Sequence, residues 1–315
     1  MGRARRAPGM SGPLLGTAVH GRALREDAQY RRIVERDFDV VTPENAMKPA
    51  HVQPEPGRFD FAGADELVDF AEQTGKRVRG HTLVWHNQTP DWMTDGGPEA
   101  ARAHLVAHIE AVVGRYRGRI WHWDVVNEAL ADDGTLRDSP WLRALGPDYL
   151  AIALTAAHAA DPSAKLFLND YNVEEVCTKS DAYYELARRL LADGVPLHGF
   201  GVQGHRISGE PPASLRENLE RFGALGLEVA VTEADVRVPV PASREDVEVQ
   251  ASVYRRMLDD ARAVEACTAF VVWGFSDRYS WIPETFEGFG AAHVMDEHFR
   301  AKPAYSAVFG EEDVA

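Results

Sequence analysis

Residues 120–128 read Ile-Trp-His-Trp-Asp-Val-Val-Asn-Glu. The apolar and β-branched density over Ile120–Val126, without regular polar alternation, is that of a strand buried on both faces, the setting of parallel sheets. Parallel neighbours must be joined by crossovers of a dozen or more residues, usually helical. Working outward, similar runs recur at Leu14–Val19, Phe38–Thr42, Arg77–Val84, Lys165–Asn169, His198–Gln203, Leu227–Thr232 and Thr268–Phe275. Amphipathic stretches lie between them. One carries Leu105, Ile109, Val112, Val113 and Tyr116 on a single face; another carries Val247, Tyr254, Met257, Leu258, Ala261 and Val264. Strand-then-helix units repeated along 315 residues predict an α/β fold, the (β/α)8 TIM barrel, usually about 250 residues plus insertions. An open doubly wound sheet is the alternative, but its G-x-G-x-x-G turn is missing from Leu14–Gly21.

No Pro/Ser linker or composition shift interrupts the chain, so a single catalytic domain is expected over 13–315, with 1–12 loosely ordered. Hydrophobic residues at 45% and charged residues at 26% are those of a globular chain. Against 34 basic residues stand 49 acidic ones, a net charge of −15 that repels phosphate backbones and argues against nucleic acid. No apolar run approaches the roughly 20 residues of a membrane span. Two cysteines, Cys177 and Cys267, cannot build a disulfide framework. The basic start (Arg3, Arg5, Arg6) leads into no apolar stretch, so no secretory signal is expected and the compartment stays open.

Barrel chemistry collects at the C-terminal ends of the strands. Read in order, those ends carry Glu44, Asn45 and Lys48; His81, Trp85, His86 and Gln88; Asn127 and Glu128; Asn169, Asp170, Tyr171 and Asn172; Gln203 and His205; Glu233 and Asp235; and Trp273, with Trp281 in the next loop. Singly, each has an ordinary explanation: Asn127-Glu128 as a helix start favoured by the dipole, Trp273 as core, the histidines as rim polar groups. Together they assemble carboxylates, amides and indoles at one mouth. Glu128 and Glu233 end the fourth and seventh strands, nearly opposite each other. Glycosidic cleavage needs such a pair, one carboxylic acid to protonate the leaving oxygen and one carboxylate to attack or stabilise the oxocarbenium-like centre. Indole faces suit pyranose rings, and Asn, Gln, His and Lys grip hydroxyls.

The segments TPENAMK (42–48), RGHTLVWHNQ (79–88), WDVVNEA (123–129), NDYN (169–172), QGH (203–205), TEAD (232–235) and VWG (272–274) resemble glycoside hydrolase family 10, the retaining endo-β-1,4-xylanases. The likeness runs from about Leu14 to Phe309. It implies that Glu128 is the general acid/base and Glu233 the nucleophile. Asn127 would bond the sugar 2-hydroxyl, and His205 and Asp235 would hold Glu233 ionised and oriented. Glu44, Asn45 and Lys48 would bind the sugar two places toward the non-reducing end, with His81, Trp85 and Gln88 around the cleaved ring and Gln203 a further substrate-binding residue. Trp273 and Trp281 would cap that side and Tyr171 would stack on the other. The implied partners are xylan and xylo-oligosaccharides, acted on by a monomer without metal or cofactor.

The chain departs from the family pattern at Ala234, where Leu is frequent, and at Pro49, where Trp is frequent. The motifs assign nothing to Arg206 or the Pro239–Pro241 loop, and Cys267 reads as a free buried thiol. Other readings stand beside this one. A metal-dependent hydrolase would use His81, His86, His205 and Asp235, although His81 and His86 have neither strand nor helix ligand spacing. A non-catalytic sugar-binding barrel would be expected to lose a carboxylate. A retaining glucanase shares both glutamates, with TPENAMK and HTLVWH favouring xylan.

Overall fold

Eight parallel strands close on themselves in the computed structural model, which describes residues 12–310. The expected loose N-terminal segment lies, but for Gly12, outside those residues. The strands are β1 (Leu14–Val19), β2 (Val40–Pro43), β3 (Arg77–Val84), β4 (His122–Asn127), β5 (Lys165–Asp170), β6 (Gly199–Val202), the short β7 (His205–Ile207), β8 (Glu228–Pro239), β9 (Cys267–Val272) and β10 (Phe289–Gly290). The ring runs β1-β2-β3-β4-β5-β6-β8-β9 and returns from β9 to β1, every pairing parallel. This is the (β/α)8 barrel.

The helices cover the outside with the faces their patterns predict. The Pro98–Arg115 helix buries Leu105, Ile109, Val112 and Val113. The Arg244–Arg262 helix starts at a Ser243–Asp246 capping box and buries Tyr254, Met257, Leu258 and Ala261. Val247 on that helix is only half-buried, and Val264 is buried beyond its end. Among the described residues no helix is long and apolar enough to cross a membrane.

Inside the ring, side chains are stacked in layers. Phe167, Ala230, Ala269 and Val271 form a small apolar floor. His122 stacks on Phe167 at 4.4 Å and reaches Glu228 at 3.1 Å. Above it Arg79, wholly buried, contacts His122 at 3.0 Å and pairs with Asp124, which in turn lies 3.1 Å from His81. A polar column therefore rises through the barrel toward its C-terminal mouth.

Strand boundaries differ from the sequence reading where backbone partners differ. The seventh barrel strand continues past Thr232 to Pro239, so Glu233 and Asp235 sit within it rather than at its end. Beyond the rim its backbone groups are satisfied by β7 in parallel and β10 antiparallel. The last barrel strand stops at Val272 instead of Phe275, because Gly274 turns the chain at a φ of 95°. Register shifts occur between His81 and Val84, Asp124 and Val126, and Val231 and Ala234. Such irregularities re-aim side chains out of strict alternation, and here they fall in the strands that carry the mouth residues.

Candidate active site

β4 and β8 are separated in the ring by β5 and β6, and those two intervening strands fill the space between the two glutamates. Asn169 leaves β5 and donates its Nδ2 to Glu233 Oε1 at 2.7 Å and to Asn127 Oδ1 at 2.8 Å. Its own Oδ1 accepts from Thr232 Oγ1 at 2.6 Å, which fixes the flip of the amide. Gln203, just past β6, donates to Glu128 Oε1 at 3.1 Å and to Asn127 Oδ1 at 3.3 Å. Asn127 Nδ2 lies 3.3 Å from Glu128 Oε1. A chain of three primary amides thus joins the carboxylates. Both are nearly buried, Glu128 at 9% and Glu233 at 4% exposure.

The two carboxylates have different electrostatic neighbours. Glu233 Oε2 lies 3.3 Å from His205 Nε2, and the other ring nitrogen of His205 is 3.0 Å from Asp235 Oδ2. Burial alone would lower the basicity of this imidazole. The charges and hydrogen bonds of Asp235 and Glu233 outweigh it and raise the pKa to about 10. His205 is therefore an imidazolium at neutral pH, clamped between two carboxylates. Trp281 Nε1 donates to Asp235 Oδ2 at 2.8 Å, fixing the far end of that clamp. Glu128 faces His86 instead, with Oε2 3.6 Å from Nδ1. Burial foremost lowers the His86 pKa, so this neighbour stays neutral at pH 7.

Around them opens a cleft of about 640 Å³. Glu44, Asn45, Lys48, His81, Trp85, Gln88, Asn127, Glu128, Tyr171, Gln203, His205, Glu233, Trp273 and Trp281 all line it. Asp235 does not; it lies beneath the surface, wholly buried, and acts through His205 and Trp281. Lys48 donates to Asn45 Oδ1 at 3.0 Å and sits over the Trp85 ring at 5.0 Å. Burial lowers its pKa despite Glu233, Glu44 and Glu128 nearby. Burial likewise raises the Glu44 carboxyl, against His20 and Lys48. Trp273 meets His81 edge-on at 5.1 Å.

Several cleft or supporting residues carry no role from the sequence reading. Asn169 lies in the NDYN segment, but only its amide contacts with Asn127, Thr232 and Glu233 show that it points inward. Arg79 and Asp124 sit at alternate inward positions below the rim, a signal available once strand facing is known. Arg237, Glu284 and Phe286 line the cleft from the end of β8 and the loop after β9, where no local pattern announces them. Arg206 reaches Glu174 and Glu175, each at 3.7 Å. Cys267 is a free thiol at the start of β9, with burial pushing its pKa up to about 12.

Among the described residues, one group has ligand atoms close enough for a metal ion: His81, Asp124 and Glu233, within 4.8 Å of one another. His86, His205 and Asp235 do not join it. The Arg79 guanidinium already neutralises Asp124 and would face any bound cation, so this donor set does not fit a metal centre.

A closed barrel whose mouth places two nearly buried glutamates in a tryptophan-lined polar cleft defines the barrel glycoside hydrolases. Within that class, the family model described as Glycosyl hydrolase family 10 matches residues 6–311, and the chain belongs to that family. It is 42% identical to endo-1,4-beta-xylanase B of Thermotoga neapolitana, over 91% of this chain and 84% of that protein. Native xylanase 10B of Thermotoga maritima superposes with a TM-score of 0.91 at 41% identity, covering 94% of each chain. Xylanase 10B of Thermotoga petrophila RKU-1, solved in complex with xylobiose, gives 0.91 at 40% identity, over 94% of this chain and 93% of that one.

Proposed function

We propose that this endo-1,4-β-xylanase cleaves internal β-1,4-xylosidic bonds of xylan by double displacement, with Glu233 as nucleophile and Glu128 as general acid/base. The observation that carries the assignment is the asymmetry of the two carboxylates. Glu233 is held between the Asn169 amide and the His205 imidazolium, partners that favour an anion. Glu128 also accepts from amides, but the ring beside it is the neutral His86, which sets no positive charge against its carboxyl.

In the first step Glu128 gives its proton to the glycosidic oxygen as the C1–O bond breaks, and Glu233 attacks C1 to form a glycosyl ester. In the second, Glu128 takes a proton from water, the water oxygen bonds to C1, and Glu233 leaves as carboxylate. Two inversions give net retention. Glu44, Asn45 and Lys48 bind glycone hydroxyls, with His81, Trp85, Gln88 and Gln203 around the cleaved ring. Trp273 and Trp281 cap the glycone side, and Tyr171 meets the aglycone. Xylo-oligosaccharide is the ligand class held by the Thermotoga petrophila relative.

The test follows products in time from xylan, cellulose and short xylo-oligosaccharides, with the anomeric configuration read by proton NMR. Internal xylan cleavage with the β-anomer appearing first is the expected result. An initial α-anomer would overturn double displacement, and faster cleavage of cellulose than of xylan would overturn the substrate. Glu233→Ala should lose turnover on every substrate, whereas Glu128→Ala should keep activity on an activated aryl glycoside and gain from azide.

A further inference from the structure

Glu128 adopts a left-handed backbone conformation, with a φ of 57°. Non-glycine residues hold such angles only where surrounding structure over-determines them. The immediate restraints are four. The Glu128 amide donates to the Asn169 carbonyl at 2.8 Å, and its carbonyl accepts from Arg137 Nε at 2.9 Å. The next two amides, of Ala129 and Leu130, both donate to one atom, the Tyr183 hydroxyl, at 2.9 and 3.2 Å.

Tyr183 comes from the Thr178–Ala192 helix and is wholly buried. Its phenol oxygen has two acceptor sites and one donor hydrogen, and all are used. The hydrogen goes to Asp170 Oδ2 at 2.5 Å. The other oxygen of Asp170 accepts from Lys179 Nζ at 2.9 Å, a lysine that is itself buried at 1% exposure. Burial raises the Tyr183 pKa well above the ordinary phenol value, so the hydroxyl keeps the hydrogen it donates. None of these three side chains lines the substrate cleft.

We infer that Tyr183, Asp170 and Lys179 are positioning residues for the acid/base, a buried buttress that holds the Glu128 turn left-handed and so aims its carboxyl at the leaving-group oxygen. The inference rests on the reading of Glu128 as acid/base. Burial raises the Asp170 pKa to about 7 against the pull of Lys179 and Tyr183, and the carboxyl is shared between them, one oxygen on the Lys179 ammonium and the other on the phenol hydrogen. Without the phenol oxygen, two buried amides lose their acceptor and the turn loses what holds it. The carboxyl would then shift by the order of an ångström, the displacement at which roughly a hundredfold of rate is lost.

The experiment compares kcat/KM of Tyr183→Phe, Asp170→Asn, Glu128→Ala and the parent on phenyl and dinitrophenyl β-xylobiosides, which need much and little protonation respectively. Tyr183→Phe should lose about a hundredfold on the phenyl substrate and far less on the dinitrophenyl one, with azide raising its turnover of the latter. Equal losses on both substrates with a lowered Tm would mean that Tyr183 only supports the fold, and would overturn the inference. If Tyr183→Phe does not fold, Asp170→Asn is judged by the same leaving-group criterion, since it keeps side-chain shape and replaces the carboxyl that meets both Lys179 and Tyr183. Glu128→Ala separates the two layers of argument. If it shows no leaving-group dependence, the acid/base reading itself fails; if it does and the buttress variants do not, only the buttress fails.

Discussion

Gly201 offers a way to move the amide bridge without touching either glutamate. It sits on β6 in register with Asn169, and a Cβ built on it would lie 2.3 Å from Asn169 Oδ1 and 2.9 Å from Thr232 Cγ2. Ordinary contact begins near 3.4 Å, so the Asn169 amide must retreat by about 1 Å in Gly201→Ala. That amide holds Glu233 Oε1 at 2.7 Å and anchors Asn127 as well. A displacement of this size in a positioning group costs about a hundredfold in rate, close to 3 kcal/mol of barrier. Stability should fall too, by about 1–3 kcal/mol for overpacking. Gly199→Ala is the control. Its Cβ would meet the Phe167 ring at 2.3 Å, on the apolar floor away from the glutamates. The assay is kcat and KM on an aryl xylobioside beside thermal unfolding of both variants. Gly201→Ala should lose kcat with KM little changed, whereas Gly199→Ala should lose Tm with kcat nearly kept in the folded fraction. A cooperatively folded Gly201→Ala with parental kcat would refute the idea that Asn169 sets the nucleophile.

His205→Asn should lower kcat more than it raises KM and shift the acidic limb of kcat/KM upward, because a positive charge beside Glu233 is removed; an unmoved acidic limb would refute this. The same imidazole has a folded pKa raised from 6.5 to about 10, so its stabilisation should be complete below about pH 6.5 and disappear as pH rises toward 10. A Tm profile flattened over that window in His205→Asn is the expected sign. Two other histidines act in the opposite direction. Burial lowers His108 and His122 from 6.5 to about 4, so both should cost stability as pH falls from about 6.5 to 4, where the unfolded chain takes up their protons first. His108→Gln should shed part of that acid slope in Tm, and an unchanged slope would refute its share.

The barrel was legible because its signal is repetitive. Runs such as Ile120–Val126 and Leu227–Thr232 need no partner to be read as buried strands, and the faces of the 98–115 and 244–262 helices repeat at helical spacing. What local pattern could not supply was pairing. Val236 and Val238 follow Asp235 as a short alternating stretch whose strand character depends on His205–Ile207 and Phe289–Gly290, segments remote in sequence. The strand therefore runs on to Pro239, past Thr232 where the local pattern ends.

The same distinction governs the cleft. Glu128, Glu233, Trp273 and the other mouth residues could be read as a set because barrel strands deliver their ends to one place, so chemistry can be collected by order alone. The groups proposed to set what the two glutamates do leave little trace in local pattern, since their effect depends on atom-to-atom geometry. Asn169 matters because its Nδ2 reaches Glu233 while its Oδ1 is taken by Thr232. A register shift between Val231 and Ala234 accompanies that double contact in place of regular pairing. Tyr183 lies on a helix where an apolar ring facing the core is all that periodicity records, and its hydroxyl acquires meaning only from the Ala129 and Leu130 amides that meet it. Asp235 reaches His205 and Trp281 beneath the cleft surface, so it meets Glu233 only through the imidazole. Residue types at strand ends thus point to a glycosidase, while the division of labour proposed for its two carboxylates rests on buried amides, an imidazolium and a tyrosine that only the assembled barrel brings together.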